Sequence, residues 1–229
     1  MSHNTWVHRV VRPALRPLAR SPVTPNHITC LRLLAGLSAA AAFAQGDDLW
    51  RNVGAGIFVI SFLLDRADGE LARLKRAHSA LGHRLDLLSD GLSNSLALFG
   101  LGVGLRDGDF GTWAIAMGGA AGLAVAGAFA MIVRMETLEG RQRAAELPSV
   151  AGFDPDDAML LVPAFVWLGL GDLLLLLAAA GAPLFCAVFA LVLRRRLSDG
   201  GARGQEEPAR VPSDSPGGRD IGSANDGRQ

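Results

Sequence analysis

Long apolar runs separated by short, arginine-bearing polar stretches dominate the chain from residue 27 to residue 193. The runs lie at 27–45, 49–64, 85–105, 112–133, 158–170 and 173–193. None shows the strict apolar–polar alternation of a half-buried strand, so each predicts a helix. A helix that crosses a bilayer needs about 20 mostly apolar residues. The pattern therefore predicts an all-α integral membrane protein with six transmembrane helices. The second run continues into a charged stretch, the fifth is short, and Gly169, Gly171 and Asp172 mark a tight turn between the last two. Ahead of the spans, Trp6, Val7, Val10, Val11, Leu15 and Leu18 interleave with Arg9, Arg12, Arg16 and Arg20. That arrangement suits an N-terminal amphipathic surface helix lying among anionic headgroups, although Pro13 and Pro17 limit its regularity. Beyond Arg196, Gly, Pro, Ser, Asp, Glu and Arg dominate, a composition that buries too little apolar surface to fold. The predicted organisation is an interfacial segment (1–24), a six-helix membrane domain (25–196) and a disordered tail (197–229).

Composition sharpens this picture. Half of the 229 residues are hydrophobic and 19% are charged, against about 25% charged in soluble domains. A soluble enzyme and a disordered chain are both disfavoured. Cys30 and Cys186 lie inside apolar runs and build no disulfide framework or metal site. Net charge is zero, yet its distribution is lopsided. Fifteen basic residues fall on one set of helix ends, around Arg9–Arg20, Arg66–Arg84, Arg134–Arg143 and Arg194–Arg196, whereas the opposite loops carry only Arg51 and Arg106. Positive charge stays inside, so both termini are expected in the cytoplasm, with the inner or plasma membrane as the site in a bacterium. Trp6, Trp50, Trp113 and Trp167 read as interfacial or packing residues. Membrane lipids are the expected surroundings, and no nucleic-acid partner is expected.

One window differs from the rest: Asp65-Arg-Ala-Asp68-Gly69-Glu-Leu-Ala72-Arg73, eight residues, then Gly82-His-Arg-Leu-Asp86-Leu-Leu-Ser-Asp90. Asp65 and Asp68 are spaced to share one helix face, and Asp86 and Asp90 share a face of the next helix. A short loop between the two helices brings all four carboxylates to the same membrane face. Four such charges repel strongly in a medium of low dielectric, so something positive must lie between them. Carboxylate oxygens suit Mg²⁺ or Mn²⁺, and two such ions form the usual clamp for displacement at phosphorus. Gly69 and Ala72 are small enough for a substrate to approach the helix closely, and Arg73 offers a planar fork to phosphate.

The spacing Asp-x2-Asp-Gly-x2-Ala-Arg-x8-Gly-x3-Asp-x3-Asp, complete from Asp65 to Asp90, resembles the signature of the CDP-alcohol phosphatidyltransferases. A Pro-Asn-x-x-Thr segment opening the first span extends the resemblance over about 25–196. It implies an integral membrane enzyme of phospholipid synthesis. Such an enzyme transfers a substituted phosphate, often phosphatidyl, from a CDP-linked lipid donor such as CDP-diacylglycerol to a small alcohol acceptor, releasing CMP. It implies Asp65, Asp68, Asp86 and Asp90 as ligands of two divalent ions and Asp90 as the general base. Asn26, Thr29, Gly69, Arg73 and Ser79 match donor-binding positions. Relatives are often dimers, which makes a homodimer the corresponding expectation.

Other residues carry weaker signals. Arg32, one turn into the first span, reads equally as a phosphate contact or as a side chain snorkelling to the headgroups. Arg134 falls where some relatives place a basic residue for a phosphorylated acceptor such as glycerol 3-phosphate; its expected basic companion is replaced by Glu136. The acidic stretch 153–158 reads mainly as a helix start, with Asp154 as cap and Pro155 at the first helical position. The alternative to a transferase is a carboxylate-lined cation transporter. Transporters place their acids near the midplane within repeats or broken helices, whereas here the acids gather at one face beside an Arg-rich loop and no repeat is visible.

Overall fold

The computed structural model describes residues 21–77, 79–139 and 159–203. Among them the chain is helical throughout its regular structure. The helices are α1 (Pro25–Ala44), α2 (Asp48–Lys75), α3 (Ala80–Gly104), α4 (Trp113–Glu139), α5 (Leu161–Trp167) and α6 (Gly171–Arg203). Helix starts follow local chemistry. Pro25 opens α1 in the first turn, where a missing N–H costs nothing. Asp47 caps α2 by accepting from the Trp50 N–H at 2.9 Å. Gly46, with φ at +93°, makes the tight turn between α1 and α2.

Three helices are long and apolar enough to cross a membrane: α1, α4 over Trp113–Thr137, and α6 over Gly171–Arg194. The sequence pattern predicts six. Two of the remaining three bear polar residues in or beside the signature: Asp65, Arg66 and Asp68 on α2, and Asp86, Ser89, Asp90, Ser93 and Asn94 on α3. These residues lower the hydropathy of helices that are otherwise long enough. The third, α5, has seven residues, about 10 Å of helix, and is shorter than the expected run 158–170. At the other end α6 continues to Arg203, past the point where the tail was expected to begin. The chain forms one unit through Leu191, and from Val192 the helix belongs to a second unit. The expected surface helix, the 153–158 stretch and residues 204–229 lie outside the described residues.

Outward faces are apolar. Leu31, Leu34, Leu123, Leu177, Leu184 and Phe185 are all exposed. Water would penalise such a surface, whereas hydrocarbon does not; this is a membrane protein. Trp50, Trp113 and Trp167 are also exposed, at the start of α2, the start of α4 and the end of α5. The Trp167 indole N–H reaches the Asn52 carbonyl at 3.4 Å. The three tryptophans thus mark the end of the bundle opposite the α2–α3 turn, as an interfacial aromatic belt does.

Helix α3 runs through the middle of the packing, between α1 and α4. The main apolar core, which includes Phe43, Phe58, Leu98, Leu101 and Leu175, lies toward the tryptophan end. Close approach depends on small residues, as is usual between helices in lipid. A Cβ on Gly100 would run into the Ala40 carbonyl of α1, and one on Gly118 would lie 2.7 Å from the Leu98 carbonyl and 2.9 Å from Gly102 Cα. Neither obstacle is a side chain that can turn away. Gly118→Val is therefore expected to push α4 off α3 and to cost about 2–3 kcal/mol. Thermal unfolding of the purified protein in detergent measures this, and an unchanged midpoint would contradict the packing.

Candidate active site

The end of α2 and the start of α3 are built to turn the chain tightly. Arg76 takes the left-handed conformation, with φ at +51°. The Ala77 N–H returns to the Ala72 carbonyl at 3.0 Å, closing the helix end. Ser79 then caps α3, its Oγ accepting from the Gly82 N–H at 2.9 Å. The two helices lie antiparallel, with Asp65 about 15 Å of helix before the end of α2. Carboxylate oxygens of Asp65, Asp68 and Asp86 all lie within 4.8 Å of one another. Two oxygens on opposite sides of a Mg²⁺ ion are about 4.2 Å apart. An all-oxygen trio at this spacing therefore fits a hard divalent cation with little adjustment. Asp68 is buried; Asp65, Asp86 and Asp90 are partly exposed.

Asp90 is not one of the trio. It is joined to it through Arg32, whose Nη2 lies 3.2 Å from Asp90 Oδ1. The same guanidinium pairs with Asp65 and, at 2.9 Å, with Asp86 Oδ1. Its Nη2 also donates to the Asp86 backbone carbonyl at 2.8 Å. Arg32 is 2% exposed. The snorkelling reading of this residue does not hold in the structure: it is buried, and its partners are three carboxylates and the Asp86 carbonyl. The signal that could have found it was the unbalanced charge of four neighbouring acids, which demanded a cation without saying which one.

The expected donor-binding residues divide. Thr29 Oγ1 donates to Asp68 Oδ2 at 2.8 Å, so its present partner is an expected metal ligand, which it orients. Ser79 serves as the α3 cap. Asn26 is close by: a Cβ on Gly82 would lie 2.9 Å from Ser79 Oγ and 3.0 Å from Asn26 Oδ1. A Cβ on Gly69 would meet nothing within 4 Å. Packing therefore does not demand glycine there. Arg73 is half-exposed and pairs with buried Glu70 at 3.5 Å, not with an aspartate.

Arg134 is exposed near the end of α4. Glu136, two positions on, turns toward α3, where both its oxygens lie 2.8 Å from His83 Nε2. Residues two apart on a helix point to nearly opposite sides, so Arg134 is not on the face that meets α3. The His83–Glu136 tie fixes the end of α4 one turn from Asp86. It was not foreseen, because a loop-proximal histidine and an acid 53 positions away carry no common pattern.

An 89-residue stretch is 36% identical to archaetidylinositol phosphate synthase of Pyrococcus horikoshii, covering 39% of this chain and 46% of that protein. The chain thus spans about half the length of the curated relative it matches. The CDP-alcohol phosphatidyltransferase profile matches residues 22–192, a region that takes in α1 to α5, most of α6 and every carboxylate of the signature. With three of those carboxylates gathered on α2 and α3 and the fourth held to them by Arg32, the chain belongs to the CDP-alcohol phosphatidyltransferase family.

Proposed function

We propose that the protein transfers a phosphatidyl group from a CDP-linked lipid donor, such as CDP-diacylglycerol, to a hydrophilic alcohol and releases CMP. The observation that carries this reading is the trio of carboxylate oxygens within 4.8 Å, drawn from two helices. Asp65, Asp68 and Asp86 hold Mg²⁺ or Mn²⁺, two ions with Asp90 completing the set. When bound, the ions neutralise the donor diphosphate and stabilise the CMP leaving group. Thr29 keeps Asp68 turned toward the site, and Asn26, Gly69, Arg73 and Ser79 border the donor. Asp90 accepts the proton of the acceptor hydroxyl as its oxygen bonds to the β-phosphorus. The bond from that phosphorus to the CMP oxygen breaks, and CMP leaves with the electron pair.

The acceptor is a phosphorylated polyol such as glycerol 3-phosphate, bound from the cytoplasm, where the charge asymmetry of the loops also puts both termini. The product in the name of the similar Pyrococcus protein, an inositol phosphate lipid, supports a phosphate on the acceptor. Exposed Arg134 is available to bind it. The test is a panel of alcohols incubated with CDP-diacylglycerol, Mg²⁺ and purified protein, with the lipid product identified by mass. Arg134→Ala is expected to raise the acceptor KM about tenfold, the loss of one charge-assisted hydrogen bond, with the donor KM unchanged. If neither constant moves, the arginine has no part in acceptor binding. If no alcohol releases CMP, the transferase reading fails.

A further inference from the structure

A buried arginine costs several kcal/mol unless its charge is matched and its donors are bonded. Arg32 meets the charge condition and bonds both terminal nitrogens, with partners from two other helices, while its buried Nε has no hydrogen-bond partner among the described residues. Nη1 pairs with Asp65 of α2 and with Asp86 of α3, and Nη2 takes the Asp86 carbonyl and Asp90 Oδ1. The backbone beneath it is fixed as well: Ser61 Oγ of α2 donates to the Arg32 carbonyl at 3.0 Å. One turn further along α1, Gly36 has no room for a Cβ against Ser93 of α3, which lets α1 come close enough for the guanidinium to reach. A cavity of only about 20 Å³ adjoins the cluster, lined by Arg32, Ser61, Asp65, Asp90 and Ser93. That is room for about a single water beside the guanidinium.

We propose that Arg32 is a positioning residue. It is a resident cation that holds Asp65, Asp86 and Asp90 assembled across α1, α2 and α3 before any divalent ion arrives, and it fixes the orientation of the Asp90 carboxylate. A guanidinium suits this role better than an ammonium, because its planar fork meets several oxygens at once in set directions. Arg32, with Arg66 Nε 4.0 Å from Asp65 Oδ2, still leaves the four acids with a net negative charge, so it holds the site open for cations and does not replace them. The proposal rests on the phosphatidyl-transfer reading only where turnover is measured; its stability arm needs neither substrate nor activity.

The test uses the full chain, purified in detergent, with Arg32→Gln, Arg32→Lys and Arg32→Gln combined with Asp65→Asn. In chelator, Arg32→Gln is expected to lower the unfolding midpoint by roughly 10 °C, the effect of leaving three neighbouring, partly exposed carboxylates unbalanced beside buried Asp68. Mg²⁺ alone should then raise the midpoint of Arg32→Gln more than that of the wild type, since the ion supplies the missing charge. Adding Asp65→Asn should recover much of the midpoint lost in chelator, because it removes one of the repelling charges. Loss of packing alone would not be repaired in this way. Arg32→Lys should keep the midpoint near the wild-type value yet lower kcat at least tenfold, with donor KM little changed, because it restores charge without the fork. If Arg32→Gln is as stable as the wild type in chelator, or if Asp65→Asn fails to rescue it, the proposal is overturned. Wild-type kcat in Arg32→Lys overturns the part concerning Asp90. If the wild-type protein shows no turnover at all, the transfer reading fails and the stability arm still decides the role of Arg32.

Discussion

Asp90→Asn is expected to lower kcat at least a hundredfold while leaving donor affinity close to that of the wild type. General-base catalysis contributes about 10²–10⁴ to rate, and an amide cannot accept the proton of the acceptor hydroxyl. The substitution keeps the size of the side chain and leaves an oxygen that can still face Arg32 Nη2, now 3.2 Å from Asp90 Oδ1. The fold and the Arg32 network are therefore expected to survive. Asp90 stands outside the trio formed by Asp65, Asp68 and Asp86, so three of the four proposed ligands remain in the variant to bind a cation and, through it, the donor. Single-turnover assays with labelled CDP-diacylglycerol, run beside equilibrium binding of the donor, separate the two effects. Wild-type turnover by the purified variant would remove Asp90 from the chemistry.

Removal of divalent ions is expected to have an equally large effect. Activity should fall to background in chelator and return with Mg²⁺ or Mn²⁺, because Arg32 balances only part of the charge of four neighbouring carboxylates. Zn²⁺ should restore little. The ligand set is oxygen alone, whereas zinc sites are usually built with nitrogen or sulfur, and the histidine one turn from Asp86 is already committed to Glu136. Titrating each metal into chelator-treated protein and measuring CMP release gives the order. Full activity in metal-free buffer would sink the assignment of the carboxylates.

The part of this architecture legible in the sequence is the part governed by short-range periodicity. The carboxylate pairs, at three and four positions, had to share helix faces. Between the pairs the chain turns in the few residues from Arg76 to Ser79. The extent of α5 was not legible. The apolar run at 158–170 is long enough to suggest a span, but Pro163 and Gly169, the latter with φ at +72°, allow only a short helix. The run-on of α6 was hidden for the opposite reason. Arg194–Arg196 looked like a membrane boundary, yet arginine and leucine are good helix formers and nothing there ends the helix. In the site, the acids and Gly69 could be read from spacing. Arg32, Thr29 and the His83–Glu136 tie could not, because each depends on a partner at least 33 positions away that only the packing of helices brings near.

The acids lie toward one end of the helices and the exposed tryptophans toward the other. A lipid made at such a site joins the leaflet from which its donor came, while the aromatic end faces a monolayer that takes no part in the reaction. If the protein performs the proposed transfer, each turnover changes a headgroup on one side of the bilayer alone. It would then be a source of compositional asymmetry between leaflets, and supplying its product to the far monolayer would be work for a separate lipid-translocating activity.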